Sequence, residues 1–274
     1  MRLSTFWLAV TMVVCTACQS EQHLPAIVTN LHTLTIHVDS QDTHRALVSF
    51  LTEDLGLLTI YRLPNAYKGR MYAGVLVGDV NLEPCGPYTN IDYARDDFEV
   101  TFFGINFTPP DTLTAAAELT RRQIEFTGTS HMNIRELTQQ STGVYVNNLI
   151  GFIADNRDSV LTLPAAKREG PLGVLGIAEV QVGYVDDAHL AMWENLLQPA
   201  PEIGNNAWQL PDGVIVRFEK SDIKETRGMV LKVKSLDRAV EYLRSKGLLG
   251  TVENGVAEID KDKAFGLRIM LKEG

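Results

Sequence analysis

The stretch LHTLTIHVDS, Leu31 to Ser40, carries two imidazoles, and GDVNLEPCG, Gly78 to Gly86, carries an amide, a carboxylate and a thiol at alternate positions. Imidazole and carboxylate suit a divalent first-row ion or acid–base work, and a thiol suits nucleophilic attack once ionised. Both stretches alternate apolar and polar residues, the period of a half-buried strand, so side chains two apart share a face. Asn81, Glu83 and Cys85 then lie together, opposite Val80 and Leu82, and Glu83 looks into a polar space. On the earlier strand Thr33, Thr35 and His37 fall on one side, while His32 shares parity with Leu34, Ile36 and Val38. Alternation turns His37 to the polar side and His32 to the core, and only a β-bulge between His32 and Leu34 brings His32 round toward Glu83. His37 has the right parity but lies five residues, roughly 16 Å, farther along the strand.

The elements that hold these residues repeat. An alternating strand, a helix of about three turns and two or three short strands recur four times, a βαβββ order that implies an α+β fold. The first unit runs from LHTLTIHVDS through the helix THRALVSFLTEDLG to VNLEP. The second opens at FEVTFFGINF, continues with a helix started by Pro109, Pro110 and Asp111, and closes with TGVYVNNLIGFIAD. The third and fourth begin at GIAEVQVGYV and RGMVLKVKS. Between the pairs lies a stretch richer in charge, Pro and Gly that suits a linker. The predicted organisation is a first domain over 30–156, a linker over 157–172 and a second domain over 173–274. Trp193 and Tyr242 sit at helical spacing among apolar neighbours and read as core.

The chain has 274 residues, 45% of them hydrophobic, enough for two ordinary domains. A formal charge of −9, with no basic patch, argues against nucleic acid as a partner. No serine elbow, phosphate-binding glycine loop or zinc-helix motif is present. Met1 and Arg2 precede an apolar run, Phe6 to Val14, too short to cross a bilayer and suited to the core of an export signal. The run ends in CTAC, which resembles the lipobox of bacterial lipoproteins, although Cys15 stands where Leu, Val or Ile is usual. The resemblance implies a signal over 1–17, a lipidated Cys18, and a polar tether over 18–29. It also implies an envelope location anchored to the membrane through the lipid. Gln19 resembles the outer-membrane form of the signal. Of three cysteines, Cys85 alone then remains a thiol, and no internal disulfide forms.

From Leu31 on, the chain resembles the vicinal oxygen chelate superfamily, which includes glyoxalase I, extradiol dioxygenases and bleomycin-binding proteins. The residues that carry this are LHTLTIHVDS…FLTEDLG, GDVNLEPCG and MVLKVKSLDRAVEYLRSKGLL…EIDKDKAFGLRIML. The resemblance implies a glyoxalase-like fold of four βαβββ modules, paired into two domains whose U-shaped mixed sheets each enclose a cavity. It implies a divalent metal (Ni, Zn, Mn or Fe) held by a His on a module's first strand and a Glu on its last, positions met here by His32 and Glu83. Glu83 is also the candidate catalytic carboxylate. The second module offers Phe102 or Phe103 for the second His and Phe152 for the second Glu, and the C-terminal half offers Glu179, Gly228 and Met270, with Glu219 nearby. Two ligands alone make a weak site. The sequence therefore favours a small-molecule-binding protein without a complete metal site, its pocket lined by His37, Asn81, Cys85, Phe102 and Phe152. The rival is a metal-dependent lyase or dioxygenase using His32 and Glu83. Two paired domains in one chain remove the need for a dimer, so monomer and homodimer both remain open.

Overall fold

The computed structural model describes residues 24–65, 69–88, 99–137, 144–147 and 151–274, without the side chains of 147 and 151–155. The signal and Cys18 lie outside the described residues. The first half comprises β1 (Asn30–Val38), α1 (Gln41–Ser49), β2 (Leu58–Leu63), β3 (Met71–Val77), β4 (Val80–Gly86), β5 (Val100–Thr108), α2 (Thr112–Arg121), β6 (His131–Ile134), β7 (Val144–Asn147), α3 (Gly151–Leu161) and α4 (Ala165–Glu169). The second half comprises β8 (Val174–Tyr184), α5 (Asp187–Leu197), β9 (Ala207–Gln209), β10 (Ile215–Lys220), β11 (Glu225–Val233), α6 (Leu236–Lys246), β12 (Leu249–Glu253), β13 (Val256–Ile259) and β14 (Arg268–Glu273).

These strands form two mixed seven-stranded sheets, ordered β2-β3-β4-β1-β5-β7-β6 and β12-β13-β14-β11-β8-β10-β9. Read in those orders, the pairings follow one sequence: two antiparallel, one parallel, a central antiparallel pair, one parallel, one antiparallel. The tandem-module α+β architecture is thereby established. The first and fourth modules are complete βαβββ units, whereas among the described residues the second and third carry one strand fewer. In the second module the chain expected to finish the sheet, TGVYVNNLIGFIAD, gives β7 and then, from Gly151, the start of α3, so Phe152 stands on a helix and not on a last strand. The stretch expected as a linker contains the end of α3 and all of α4.

Helix starts follow the side chains able to cap them. Ser40 Oγ accepts the Thr43 amide, Asp111 accepts those of Leu113 and Thr114, Asp186 accepts that of His189, and Ser235 accepts that of Arg238. The apolar faces of the strands pack against these helices. Leu34, Ile36 and Val38 of β1 are fully buried with Leu47 and Leu51, and the same continuous core takes in Leu119, Trp193, Ala239 and Leu243. The two halves also meet through Phe50 and Phe265, edge to face at 5.9 Å. Tyr242 donates from its hydroxyl to the Asp54 carbonyl at 2.8 Å, and Arg122 to the Asn195 and Gln198 carbonyls at 2.7 and 3.0 Å.

At the β3–β4 turn, Gly78 has φ +64, and an added Cβ would lie 2.6 Å from the Gly176 Cα and 2.8 Å from the Leu175 carbonyl oxygen. The turn of one sheet thus rests on the backbone of β8 in the other. Gly78→Ala combines a disfavoured backbone with a backbone clash, and should cost about 2 kcal/mol or more in urea denaturation. A variant as stable as the parent would mean that this contact between the halves yields freely.

Candidate functional site

The polar face of the first sheet is concave and largely buried. Register puts Thr33 beside Asn81, Thr35 beside Glu83, and His37 beside Cys85. Across the other edge of β1, Thr33 faces Asn106, which pairs with Tyr145, which pairs with Asn133. Asn81, Thr33, Asn106, Tyr145 and Asn133 therefore make one transverse row over five strands, since laterally paired residues point to the same side of a sheet. Thr33, Thr35, His37, Asn81 and Asn106 are all buried. Part of the cover comes from α3, whose Val160 and Leu161 pack onto Ile60, Tyr61 and Leu76.

Three hydrogen-bonding residues organise the floor. Tyr61 donates its hydroxyl to Glu83 Oε1 at 2.5 Å and accepts from Asn81 Nδ2 at 3.2 Å. Gly74 makes this possible: a Cβ there would fall 2.3 Å from Tyr61 Cε1, so the ring crosses β3 only because that position is bare. Burial raises the Glu83 carboxyl above its ordinary value, and the Tyr61 hydrogen bond offsets part of that rise. Asn81 is committed by the same chain. With Tyr61 bound to the carboxylate, its oxygen receives the amide N–H, and Asn81 Oδ1 is left buried with no partner among the described residues.

The strand slips register between Leu31 and Thr33, at His32. Its Nδ1 lies 2.9 Å from Thr33 Oγ1, Nε2 is buried without a partner among the described residues, and the charges of Arg157 and His131 act on the ring. Burial, first, and then those charges lower its pKa to about 4, so the imidazole is neutral at physiological pH. His37 lies between Tyr88 and Phe103, stacked at 3.4 and 3.5 Å, with the Arg70 guanidinium over the outer face of Tyr88 at 4.0 Å. Burial, then Arg70, holds His37 well below its usual range. The register sets Glu83 between the histidines, three residues along from His32, about 10 Å, and two from His37, about 7 Å.

Other expected residues fall elsewhere. Phe102 packs in the apolar core, not in the cup, because the register slips between Thr35 and Ile36; Phe103 takes the cup side. Cys85 does lie on the concave face, but burial, first, drives its thiol well up, which removes the thiolate a nucleophile needs. The side chain of Phe152 lies outside the described residues. In the second cup, Glu179 is held by Arg217 at 2.9 Å, and Glu219 by Arg227 at 3.1 Å and Arg268 at 3.4 Å. Gly228 has Arg268 against it, and Met270 packs with Ala178 and Val230. Among the described residues no group of three or more His, Cys, Asp or Glu is placed to hold a metal ion. A two-side-chain set of His32 and Glu83 does not fit a dedicated divalent site. Sequence reasoning missed Tyr61, Asn106, Asn133 and Tyr145. Gly74, two residues before Leu76 in a strand, was the available signal for a ring lying across it.

The chain superposes on a mutant of 4-hydroxymandelate synthase from Streptomyces coelicolor with TM-score 0.62 and 11% identity, covering 90% of this chain and 92% of that one. It superposes on the 2,3-dioxygenase LapB from Pseudomonas sp. KL28 with TM-score 0.59 and 11% identity, covering 92% and 93%. The fold is the vicinal oxygen chelate fold. A third likeness is to 2,2',3-trihydroxybiphenyl 1,2-dioxygenase from Sphingomonas wittichii strain RW1, with TM-score 0.51, 17% identity and coverage of 90% and 91%. No family model and no curated protein sequence matches the chain.

The described histidines, His32, His37 and His131 on the first sheet and His44 and His189 on helices α1 and α5, shift with one sign. His32, His37, His44, His131 and His189 all have lowered pKa values, chiefly through burial, so the unfolded chain binds more protons than the folded one below pH 6.5. Stability is therefore lost as pH falls from 6.5 toward 4, with Glu83 and Asp212, both raised, acting in the opposite sense. A His32 shifted to about 4 corresponds to at most roughly 3 kcal/mol. Melting temperature measured from pH 7 to 4.5 should fall, and His32→Gln should flatten the slope; an unchanged slope would show that the ring protonates freely in the folded chain.

Proposed function

We propose that the protein binds a small molecule on the concave floor of its first cup, against Asn81, Glu83, Tyr61 and His32. The observation that carries this reading is a pair of buried atoms without a partner among the described residues: Asn81 Oδ1, which shares Tyr61 with the Glu83 carboxylate, and His32 Nε2, about 10 Å from Glu83 along β1. Burying an unpaired polar atom costs about 1–3 kcal/mol, and such a cost is typical of binding sites kept ready for a ligand. Glu83, whose carboxyl burial raises above its ordinary value against the opposing Tyr61 hydrogen bond, is the group on this floor suited to exchange a proton with a bound molecule. His37 and Cys85, farther along the same face, form the apolar and aromatic wall.

A fragment screen by fluorine NMR on the full chain should find binders whose affinity falls about fivefold or more on Glu83→Gln or Asn81→Ala, a loss near 1 kcal/mol. The same binders should ignore Arg217→Ala in the second cup. Binding that follows Arg217 would move the site to the other sheet.

A second reading, a metal-dependent lyase or dioxygenase using His32 and Glu83, draws support from the dioxygenases among the structural neighbours and from the open Nε2. Metal analysis of the purified chain separates the two. Stoichiometric Ni, Zn, Mn or Fe that disappears in Glu83→Ala selects the enzyme, and metal-free protein that still binds fragments selects the binder.

The proposal also includes anchoring in the bacterial envelope through a lipid on Cys18, with the cup facing the periplasm. No described helix is long and apolar enough to cross a membrane. Cys18→Ser should move the chain from the membrane to the soluble fraction and remove the acyl mass from the N-terminal peptide. An unaltered distribution would rule out the anchor.

A further inference from the structure

We infer that the first cup takes a neutral, hydroxyl-rich molecule, a saccharide or related polyol, laid across the row Asn81, Thr33, Asn106, Tyr145 and Asn133. The inference rests on the reading that this cup is the binding site, and adds the chemical class of the ligand.

The row is amide and hydroxyl throughout. Two of its ends present the same unmet demand: Asn81 Oδ1, on a residue only 2% exposed, and Asn133 Oδ1 are both buried acceptors without a partner among the described residues. The orientation of Asn81 is not arbitrary, because Tyr61 must give its proton to Glu83 and so takes the Nδ2 donor, leaving the carbonyl oxygen outward. Acceptors of this kind call for O–H or N–H donors. An anionic ligand would bring further acceptors to them and gain nothing. A cationic ligand would meet the neutral His32 and His37, the nearby Arg157 and Arg70, and a Glu83 already engaged by Tyr61. Hydroxyls satisfy the geometry because each both donates and accepts, and the floor already pairs amide with hydroxyl, Asn106 Nδ2 donating to Thr35 Oγ1 at 3.4 Å. His131 and Tyr145, rings 4.6 Å apart at the β6 end, add an aromatic surface of the kind that sugar C–H faces pack against. Four strand spacings separate Asn81 from Asn133, roughly 19 Å along the curved sheet, which accommodates more than one ring.

Saturation-transfer NMR on the full chain, with myo-inositol, sucrose and maltotriose as neutral probes, agmatine as a cation and succinate as an anion, tests the class. At least one neutral probe should bind, and its affinity should weaken about tenfold in Asn81→Leu and in Asn133→Leu. Thr33→Val, nearly isosteric, serves as the same test should either leucine variant fail to fold. Binding of agmatine or succinate alone, lost in Asn81→Leu, would overturn the polyol class and leave the cup reading intact. Binding of no probe, or of a neutral probe indifferent to all three substitutions, would overturn both.

Discussion

Strand alternation under burial on both faces is the constraint from which the rest of this molecule follows. Leu34, Ile36 and Val38 face the helices, so Thr33, Thr35 and His37 must face the other way, and that other way is also closed to water. A buried polar face is tolerated only where its groups find partners. The floor of the first cup meets this through short chains of hydrogen bonds, with Tyr61 as hub, and the bare Cα of Gly74 is what lets the hub reach Glu83. Where the chains end, at Asn81 Oδ1 and His32 Nε2, the account turns from folding to recognition.

The second sheet answers the same problem differently. Its pairing sequence repeats that of the first, yet its floor carries Glu179 with Arg217, and Glu219 with Arg227 and Arg268. These side chains are about one-third exposed, apart from the buried Glu179, so water screens them and each pair contributes little stability on its own. Charge satisfies charge there, and the carboxylates that the sequence set in ligand positions are spoken for. One scaffold thus holds a hydrogen-bonded amide floor in one cup and an ionic floor in the other, where Gln181 donates to Glu179 and leaves its Oε1 buried without a partner among the described residues.

Module order, helix starts and the two-faced character of β1 and β4 were legible in the sequence, because they depend on period, capping residues and alternation, all local properties. Asp111 before its helix and Asn81-x-Glu83-x-Cys85 on one face are examples. What was not legible depends on register between distant strands. The slips at His32 and at Phe103 reassign which of two neighbouring side chains faces the cup, and nothing within either strand announces them. The start of α3 in place of a closing strand was missed because GFIAD follows an apolar strand and contains a short apolar run of its own. Asn106, Tyr145 and Asn133 come from three strands and form a row only after pairing, so no motif marks them. Nor did any family model or curated sequence supply those positions; the likeness to solved structures carries the fold alone.

The central claim is that Asn81 is kept for a ligand and not for the fold, and the unfolding free energy of ligand-free Asn81→Leu tests it most directly. The substitution gives up one hydrogen bond to Tyr61, worth about 1 kcal/mol, and relieves a buried unpaired carbonyl costing about 1–3 kcal/mol. Urea denaturation should therefore find the variant as stable as the parent, or more stable. A loss of about 2 kcal/mol or more with an unchanged m-value would make Asn81 a structural residue and contradict the account.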